Sequence, residues 1–428
     1  MRYIPLPKTV YQRHREIFAS KIPTNSLAVL NSNDLMPSNA DGHLKFRQNN
    51  DLFYLSGVDQ EETILVIFPN AKNPKMREVL FLKKTSELIE IWEGHKLTKE
   101  EARELTGIEN IYWTEQFEQV FALLVTEAQT VFLNTNEHAR SSNEVETRDE
   151  KFIKWFKQKY PLHGLGRIAP LLQEMRMFKS PEEIEQIKKA AQITKEAYNR
   201  ILKFVKPGVK EYEIEAEITH EFIRNGSRGH AYEPIIASGK NACVLHYIDN
   251  DKVCYDGDLL LLDFGAEYGN YNADLTRVIP VNGKFTPRQK EVYNAVLAVY
   301  YKALEHLKAG VSFSEYETQV VNEMQHQLIE LGLFTQTEVV NQPADQPLYK
   351  KYFMHGVSHY LGLDVHDVGH KHVPISVGMV LTIEPGIYIK EEGIGIRIEN
   401  DILVTETGNV ELIPNIATSV EEIEAAMQ

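Results

Sequence analysis

The sequence has few cysteines, fewer basic than acidic residues, and no long apolar run. Only two of its 428 residues are cysteine, Cys243 and Cys254, which argues against a disulfide framework. No apolar segment approaches membrane-spanning length, and residues 1–10 lack the apolar core of a signal peptide. Lys and Arg number 46 against 61 for Asp and Glu, giving a net charge of -15. This charge argues against nucleic acid or an anionic membrane as a partner. We therefore expect a soluble cytoplasmic protein.

The length of the chain and a change in its pattern predict two domains. A chain of 428 residues exceeds one ordinary core. Residues 1–165 have a mixed α/β pattern, with strand-like runs at 63–68 (TILVIF) and 78–82 (EVLFL). Residues 134–150 are polar and predict a loop, and residues 161–170 contain two glycines and predict a linker. We place the domain boundary at residue 165.

Residues 166–428 contain a repeated pattern in which a pair of helices precedes a set of strands. Residues 180–183 (SPEE) form a capping box that opens a long helix, and a second helix is predicted at 212–224. Residues 286–289 (TPRQ) form another capping box, and its second helix is predicted at 314–331. The repeat indicates an α+β domain built by internal duplication, with two halves facing a shared cleft. Chance recurrence of capping signals is the alternative.

Two aspartates are associated with short apolar strands in the first half of this domain. Residues 259–263 (LLLLD) predict a buried strand that ends at Asp263, and residues 271–278, which include Asp274, predict its antiparallel partner. Burying Asp263 among leucines is costly unless its carboxylate is paired or binds a metal. Carboxylates on adjacent strands can reach one ion. Two aspartates that only cap the turns of a hairpin explain this pair equally well.

The second half adds two glutamates and a group of histidines. Residues 380–384 (VLTIE) and 394–403 predict paired strands that carry Glu384 and Glu399. Three histidines precede them in a glycine-rich segment: His355, His359 and His366. Four carboxylates and an imidazole in a small volume repel one another as bare charges, and two divalent cations remove that conflict. Oxygen-rich ligation with one nitrogen suits Mn, Co, Zn or Fe(II), and paired metals activate water for hydrolysis of an amide or ester.

These residues and the segments around them resemble a known family. The segments are LLLLDFGAEYGNYNADLTR, FMHGVSHYLGLDVHD, LTIEPGIYI and GIGIRIENDILVT. They resemble the pita-bread metallopeptidases, which include methionine aminopeptidase, aminopeptidase P and prolidase. HGVSHYLGLDVHD is similar to the bacterial aminopeptidase P signature, and RQNNDLFYLSG (47–57) resembles the creatinase-type N-terminal domain. The resemblance implies a creatinase-type α/β domain at 1–165 and a pseudo-duplicated pita-bread catalytic domain at 166–428.

The resemblance also implies a role for each matching residue. Five residues would hold two divalent ions, with Mn the expected metal: Asp263, Asp274, His359, Glu384 and Glu399. Glu384, His246 and His366 would be catalytic, with Glu384 moving the proton to the leaving nitrogen. The substrate would be bound by seven residues: Tyr232, His246, His355, His366, Tyr388, Arg397 and Trp92. Trp92 would reach the active site of a neighbouring subunit, which implies a homodimer or homotetramer.

The implied reaction is removal of the N-terminal residue from peptides with proline in the second position, by attack of a metal-bridging hydroxide. A prolidase restricted to Xaa-Pro dipeptides is the main alternative, since it shares the metals and the fold. A metal-free creatinase-like enzyme or a binding-only relative is a further alternative. Both metal-free readings predict replaced ligands, whereas all five ligand types are present here.

Overall fold

The computed structural model describes residues 2–141 and 144–428, and it divides into two compact units. The N-terminal unit is Pro5–Met175, and the C-terminal unit is Arg176–Gln428 with the first residues of the chain. The division therefore lies between Met175 and Arg176, whereas the sequence placed it at residue 165. None of the described helices is both long enough and apolar enough to cross a membrane.

The N-terminal unit contains a mixed six-stranded sheet with the strand order β4-β3-β2-β1-β5-β6. Its strands are β1 Ser26–Asn31, β2 Ile64–Ile67, β3 Glu78–Leu82, β4 Asn110–Trp113, β5 Thr130–Leu133 and β6 Gly164–Arg167. Strand β2 is antiparallel to both of its neighbours, and the remaining pairs are parallel. Its helices are α1 Lys8–Lys21, α2 Asn50–Ser56, α3 Glu87–Glu93, α4 Lys99–Thr106, α5 Phe117–Val125, α6 Arg148–Lys159 and α7 Ala169–Arg176. The predicted α/β class and the two predicted strands are confirmed.

Two predictions about the connecting segments need correction. The predicted linker at 161–170 contains the edge strand β6, and the next residue, Ile168, donates its N–H to Leu133 O at 3.0 Å. The sheet thus continues beyond residue 165. The predicted loop at 134–150 ends early, because Thr147 and Glu150 form a capping box that starts α6 at Arg148. Residues 142 and 143 of that loop lie outside the described part of the chain.

The C-terminal unit is α+β, as predicted. Its helices are α8 Pro181–Phe204, α9 Glu211–Arg224, α10 Pro287–His306, α11 Phe313–Glu330, α12 Gln336–Val340 and α13 Val420–Ala426. Its strands are β7 Ile235–Ser238, β8 Leu259–Asp263, β9 Glu267–Tyr268, β10 Tyr271–Asn272, β11 Thr276–Pro280, β12 Val380–Ile383, β13 Gly386–Ile389, β14 Ile394–Arg397, β15 Asn400–Thr405 and β16 Gly408–Glu411. The capping boxes at Ser180 and Thr286 open α8 and α10, which confirms both predicted helix starts.

The two halves of this unit share one local topology. In the first half, β8 is followed by the β9–β10 hairpin, and β11 then returns to pair with β8. In the second half, β12 is followed by the β13–β14 hairpin, and β15 then returns to pair with β12. Each inner hairpin forms its own two-stranded ladder. This correspondence supports the predicted internal duplication, because it extends well beyond the capping signals.

The inner hairpins correct the predicted strand pairing. Residues 271–278 do not form one strand: Tyr271–Asn272 pairs with β9, and the partner of β8 begins only at Thr276, which lies opposite Asp263. Asp274 therefore lies in the break before β11. Gly265 permits this break, because a side-chain carbon there would lie only 1.7 Å from the carbonyl oxygen of Ala273. Residues 394–403 are likewise divided between β14 and β15.

Candidate active site

The four predicted carboxylate ligands lie at corresponding breaks of the two halves. Asp263 ends β8 and Asp274 precedes β11, so the two aspartates flank the first inner hairpin. Glu384 follows β12 and Glu399 precedes β15, so the two glutamates flank the second. The side chains of Asp263, Asp274 and Glu399 are buried. The duplicated topology thus delivers two acidic residues from each half.

Three of the five predicted ligands form a tight cluster within the described chain. Asp274, His359 and Glu399 each offer one donor atom, and these atoms all lie within 4.8 Å of one another. His359 Nε2 lies 3.5 Å from Asp274 Oδ2 and 3.9 Å from Glu399 Oε1. It lies 3.9 Å from Glu384 Oε1 as well. Donor atoms that share one cation at about 2.0–2.2 Å are separated by up to about 4.4 Å, so the three distances from His359 Nε2 fit a shared ion.

The imidazole of His359 is oriented for metal binding. Its Nδ1 lies 2.9 Å from the carbonyl oxygen of Tyr360, and because a carbonyl only accepts, Nδ1 carries the proton. The lone pair of Nε2 therefore points toward the carboxylates. A backbone carbonyl behind the distal ring nitrogen is a common arrangement in metal sites. The N–H of His359 donates to Thr382 Oγ1 at 3.2 Å, which attaches this residue to β12.

Burial makes the carboxylate cluster electrostatically unfavourable without a cation. Burial, opposed by His359 and Arg397, raises the pKa of Glu384 to about 7. Burial and the neighbouring Asp274 and Glu384 raise the pKa of Glu399 well above its usual range. Burial also raises the pKa of Asp274. Divalent cations stabilise the charged forms of such groups, so the donor set fits a metal site.

Asp263 is held by two side chains that the sequence assigned to substrate binding. The hydroxyl of Tyr232 donates to Asp263 Oδ1 at 2.6 Å and also contacts Asp274. The guanidinium of Arg397 donates to Asp263 Oδ2. Tyr232 and Arg397 therefore lie beside the predicted metal ligands.

Thr276 connects the two sides of the site and was not predicted from the sequence. Its hydroxyl accepts a hydrogen bond from Arg397 Nε at 3.1 Å and donates to Glu399 Oε2 at 2.6 Å. Thr276 is fully buried. Its position two residues after Asp274, at the start of β11, was the available signal, but a threonine in a strand is ordinary.

Asp401 is a second group that the sequence did not indicate. Its Oδ2 accepts a hydrogen bond from the backbone N–H of Asp274 at 3.1 Å, which ties the break before β11 to β15. Asp401 is fully buried, and burial together with Asp274 raises its pKa well above its usual range. It follows Glu399 by two residues in the chain.

His355, Tyr388 and Arg397 form one hydrogen-bonded chain. Arg397 Nη1 donates to Tyr388 Oη at 2.7 Å, and Tyr388 Oη lies 2.8 Å from His355 Nε2. His355 Nδ1 faces the carbonyl of Gly356 at 2.7 Å and therefore donates, so Nε2 accepts from the Tyr388 hydroxyl. Burial, followed by the charge of Arg397, lowers the pKa of His355 to about 4, so its ring is neutral at neutral pH. The ring also faces Glu384, with Nδ1 3.6 Å from Oε2.

The other two predicted histidines are exposed. The His366 ring packs edge-on against the His359 ring, with centroids 4.4 Å apart. His246 follows a short 3-10 helix, Gly239–Cys243, and is close enough to His355 to contribute to the lowered pKa of that ring. The predicted site residues of the C-terminal unit therefore border one cluster. Trp92 lies on α3 in the N-terminal unit, with its side chain exposed.

Two known families match the chain. Metallopeptidase family M24 matches residues 185–406, within the C-terminal unit. The family Aminopeptidase P, N-terminal domain matches residues 11–132, within the N-terminal unit. Together the two matches follow the order of the two units in the chain.

Similar proteins are aligned over almost the whole chain. Xaa-Pro aminopeptidase of Escherichia coli (strain K12) is 37% identical, with 97% of each chain covered. A candidate aminopeptidase P of Bacillus anthracis has a similar structure, with a TM-score of 0.91, 36% identity, and 99% and 98% of the two chains covered. Zn-substituted E. coli aminopeptidase P in complex with product gives a TM-score of 0.89, with 35% identity and 99% of each chain covered. The predicted pita-bread domain preceded by an aminopeptidase P-type domain is confirmed.

Proposed function

The chain belongs to metallopeptidase family M24, as a bacterial-type aminopeptidase P, and on that premise we propose how it cleaves peptides before proline. It is a metal-dependent exopeptidase that removes the N-terminal residue when proline is in the second position. The observation that carries this function is the cluster of Asp274, His359 and Glu399 within 4.8 Å, flanked by Asp263 and Glu384. All five ligand residues are present, in the same sequence order as in the resembling family, which disfavours a metal-free enzyme or a binding-only protein.

The five predicted ligands would hold two divalent cations. Asp274 and Glu399 come from opposite halves and converge on His359 Nε2, so these three side chains would hold one ion together, and Asp263 and Glu384 would complete the set for the pair. When bound, such a pair supplies Lewis acidity at the scissile carbonyl and an activated water. The oxygen-rich donor set with one nitrogen suits Mn, Co, Zn or Fe(II), and we propose Mn as the metal.

We propose that Glu384 transfers the proton in this reaction. Its side chain is 20% exposed, whereas that of Glu399 is 3% exposed, so Glu384 is the more accessible of the two glutamates to a peptide. The nitrogen that leaves in this reaction belongs to proline and must gain a proton as the bond breaks. We assign to Glu384 the transfer of a proton from the attacking water to that nitrogen.

The histidines and Tyr388 provide the proline side of the site. A peptide bond before proline has no N–H, so the enzyme cannot recognise that nitrogen by accepting a hydrogen bond from it. Selectivity for proline then depends more on side-chain rings that line the site. The neutral His355 ring, hydrogen-bonded to Tyr388, is one of them. His246 and His366 are exposed and available to contact the peptide near the scissile bond.

We also infer a homo-oligomer, a dimer or a tetramer, in which Trp92 contacts the active site of a neighbouring subunit. Three apolar side chains of α3 are strongly exposed: Leu88 at 66%, Ile91 at 77% and Trp92 at 81%. Exposed apolar groups of this size are a common mark of an interaction surface.

The two free cysteines, Cys243 and Cys254, support a reducing, cytoplasmic location.

The function is tested by comparing three peptides that differ only around the scissile bond. With Mn2+ present, we expect turnover of an Xaa-Pro-Yaa tripeptide and no turnover of the matching Xaa-Ala-Yaa peptide. Cleavage confined to the Xaa-Pro dipeptide would identify a prolidase instead.

A further inference from the structure

His366 lies on an irregular loop that nevertheless has a buried ionic core. Residues 361–369 form no helix or strand. The residue after His366, Asp367, has a side chain that is only 1% exposed. Its backbone N–H donates to the carbonyl of Tyr360 at 2.9 Å, which closes the loop on the residue next to His359. Asp367 is therefore the chain neighbour of His366 and is hydrogen-bonded to the chain neighbour of His359, while its own side chain is too buried to contact a substrate.

Two buried cations hold the carboxylate of Asp367. Lys179 Nζ lies 3.0 Å from Asp367 Oδ2, and Arg176 Nη2 lies 2.6 Å from Oδ1. The side chain of Lys179 is 1% exposed and that of Arg176 is 4% exposed. Burial alone would raise the pKa of Asp367, but Lys179 and Arg176 outweigh that effect and lower it. Both oxygens of the carboxylate are therefore fixed in place.

The loop is shaped around this ion pair. A side-chain carbon at Gly362 would lie 2.2 Å from Asp367 Oδ2 and 2.8 Å from the Cε of Lys179. Only glycine allows so close an approach. Arg176 also bonds Asp364 Oδ2 at 2.7 Å, which gives the cations a second contact in the same loop. Lys179 is itself fixed by its N–H, which donates to Gly378 O at 2.9 Å.

We propose that Asp367 is a positioning residue for His366, acting through Lys179 and Arg176. The pairing fixes the backbone next to His366 and keeps its imidazole edge-on to the His359 ring at 4.4 Å. A side chain on an irregular loop otherwise samples several orientations, and a small displacement of a catalytic group costs much of its effect. The inference rests on the proposed peptidase function, in which His366 contacts the peptide.

A double-mutant cycle separates this role from a general structural one. Lys179→Met is made in the native protein and in a His366→Ala background, and kcat and KM for Xaa-Pro-Yaa are measured under single-turnover and steady-state conditions. We expect kcat/KM to fall about tenfold in the native background and less than about twofold when His366 is absent. An equal loss in both backgrounds overturns the proposal. Lys290→Met, which removes the partner of Glu424, is the control and should match the native enzyme.

Two further measurements keep the outcome decisive. A crystal structure of Lys179→Met should show the His366 ring displaced from the His359 ring, and an unchanged ring position overturns the proposal without reference to turnover. If Lys179→Met does not fold, the cycle is repeated with Asp367→Asn, which keeps the size of the side chain and removes the charge that pairs with Lys179 and Arg176. A loss confined to the native background then supports the proposal, and any other pattern overturns it. If the native enzyme cleaves no Xaa-Pro peptide, the proposed function fails rather than the positioning role alone.

Discussion

Thr276→Val removes one buried hydroxyl while keeping the shape of the side chain. That hydroxyl receives a hydrogen bond from Arg397 and donates one to Glu399. Each bond has a charged partner and contributes about 1.5–3 kcal/mol, so we expect a loss of about 3–6 kcal/mol in the free energy of unfolding. Partners of metal ligands typically change metal affinity by about 10–100-fold when they are removed. We expect Mn2+ binding to weaken by this factor.

The assay is calorimetric titration of the metal-free protein with Mn2+, together with thermal unfolding of the same samples. Thr194→Val is the matched control, because Thr194 is also fully buried in the C-terminal unit. Its hydroxyl donates to Ala190 O and accepts from the N–H of Ala266, both at 2.9 Å. We expect this control to lose about 1–3 kcal/mol of stability and to keep native Mn2+ affinity. Native affinity in Thr276→Val would refute the reasoning that this hydroxyl orients Glu399.

Two other predictions concern the proposed proton carrier Glu384 and the half-buried histidine His230. Glu384→Gln keeps the size of the side chain but removes the carboxylate that carries the proton. We expect kcat for an Xaa-Pro-Yaa peptide to fall at least about 1000-fold, and a near-native kcat would exclude the assigned role. Burial lowers the pKa of His230 from 6.5 to about 4. Between those two pH values the unfolded state binds more protons than the folded state, so the free energy of unfolding falls as the pH decreases from 6.5 to 4. His230→Gln should therefore reduce the fall in the free energy of unfolding between pH 7 and pH 4 by up to about 3 kcal/mol, measured by denaturation at each pH. An unfolding free energy that changes with pH as in the native protein would contradict this.

Local signals in the sequence were sufficient for the elements that depend on neighbouring residues. The helix starts at Ser180 and Thr286 were predicted because a capping box is complete within four residues. The apolar run ending at Asp263 was predicted as a strand because its burial is evident from composition alone. The identities of the metal ligands came from a family resemblance rather than from spacing.

Local sequence patterns do not predict contacts between residues that are far apart in the chain. The break that places Asp274 depends on Gly265 approaching Ala273, and nothing in the alternation of residues 271–278 marks it. Thr276 contacts Glu399, which is 123 positions away, and Lys179 contacts Asp367, which is 188 positions away. A single sequence gives no sign that such pairs meet. The edge strand β6 was missed because its two glycines are typical of a linker.

Metal content measures most directly whether five side chains of the C-terminal unit hold two divalent ions. After reconstitution with Mn2+ and removal of free metal, we expect about two ions per chain in the native protein and one or fewer in Asp274→Ala and Glu399→Ala. Glu267→Gln, at a buried carboxylate that pairs with Arg228, should keep the native content. Only trace metal in the native protein, or two ions retained in both alanine variants, would contradict the account.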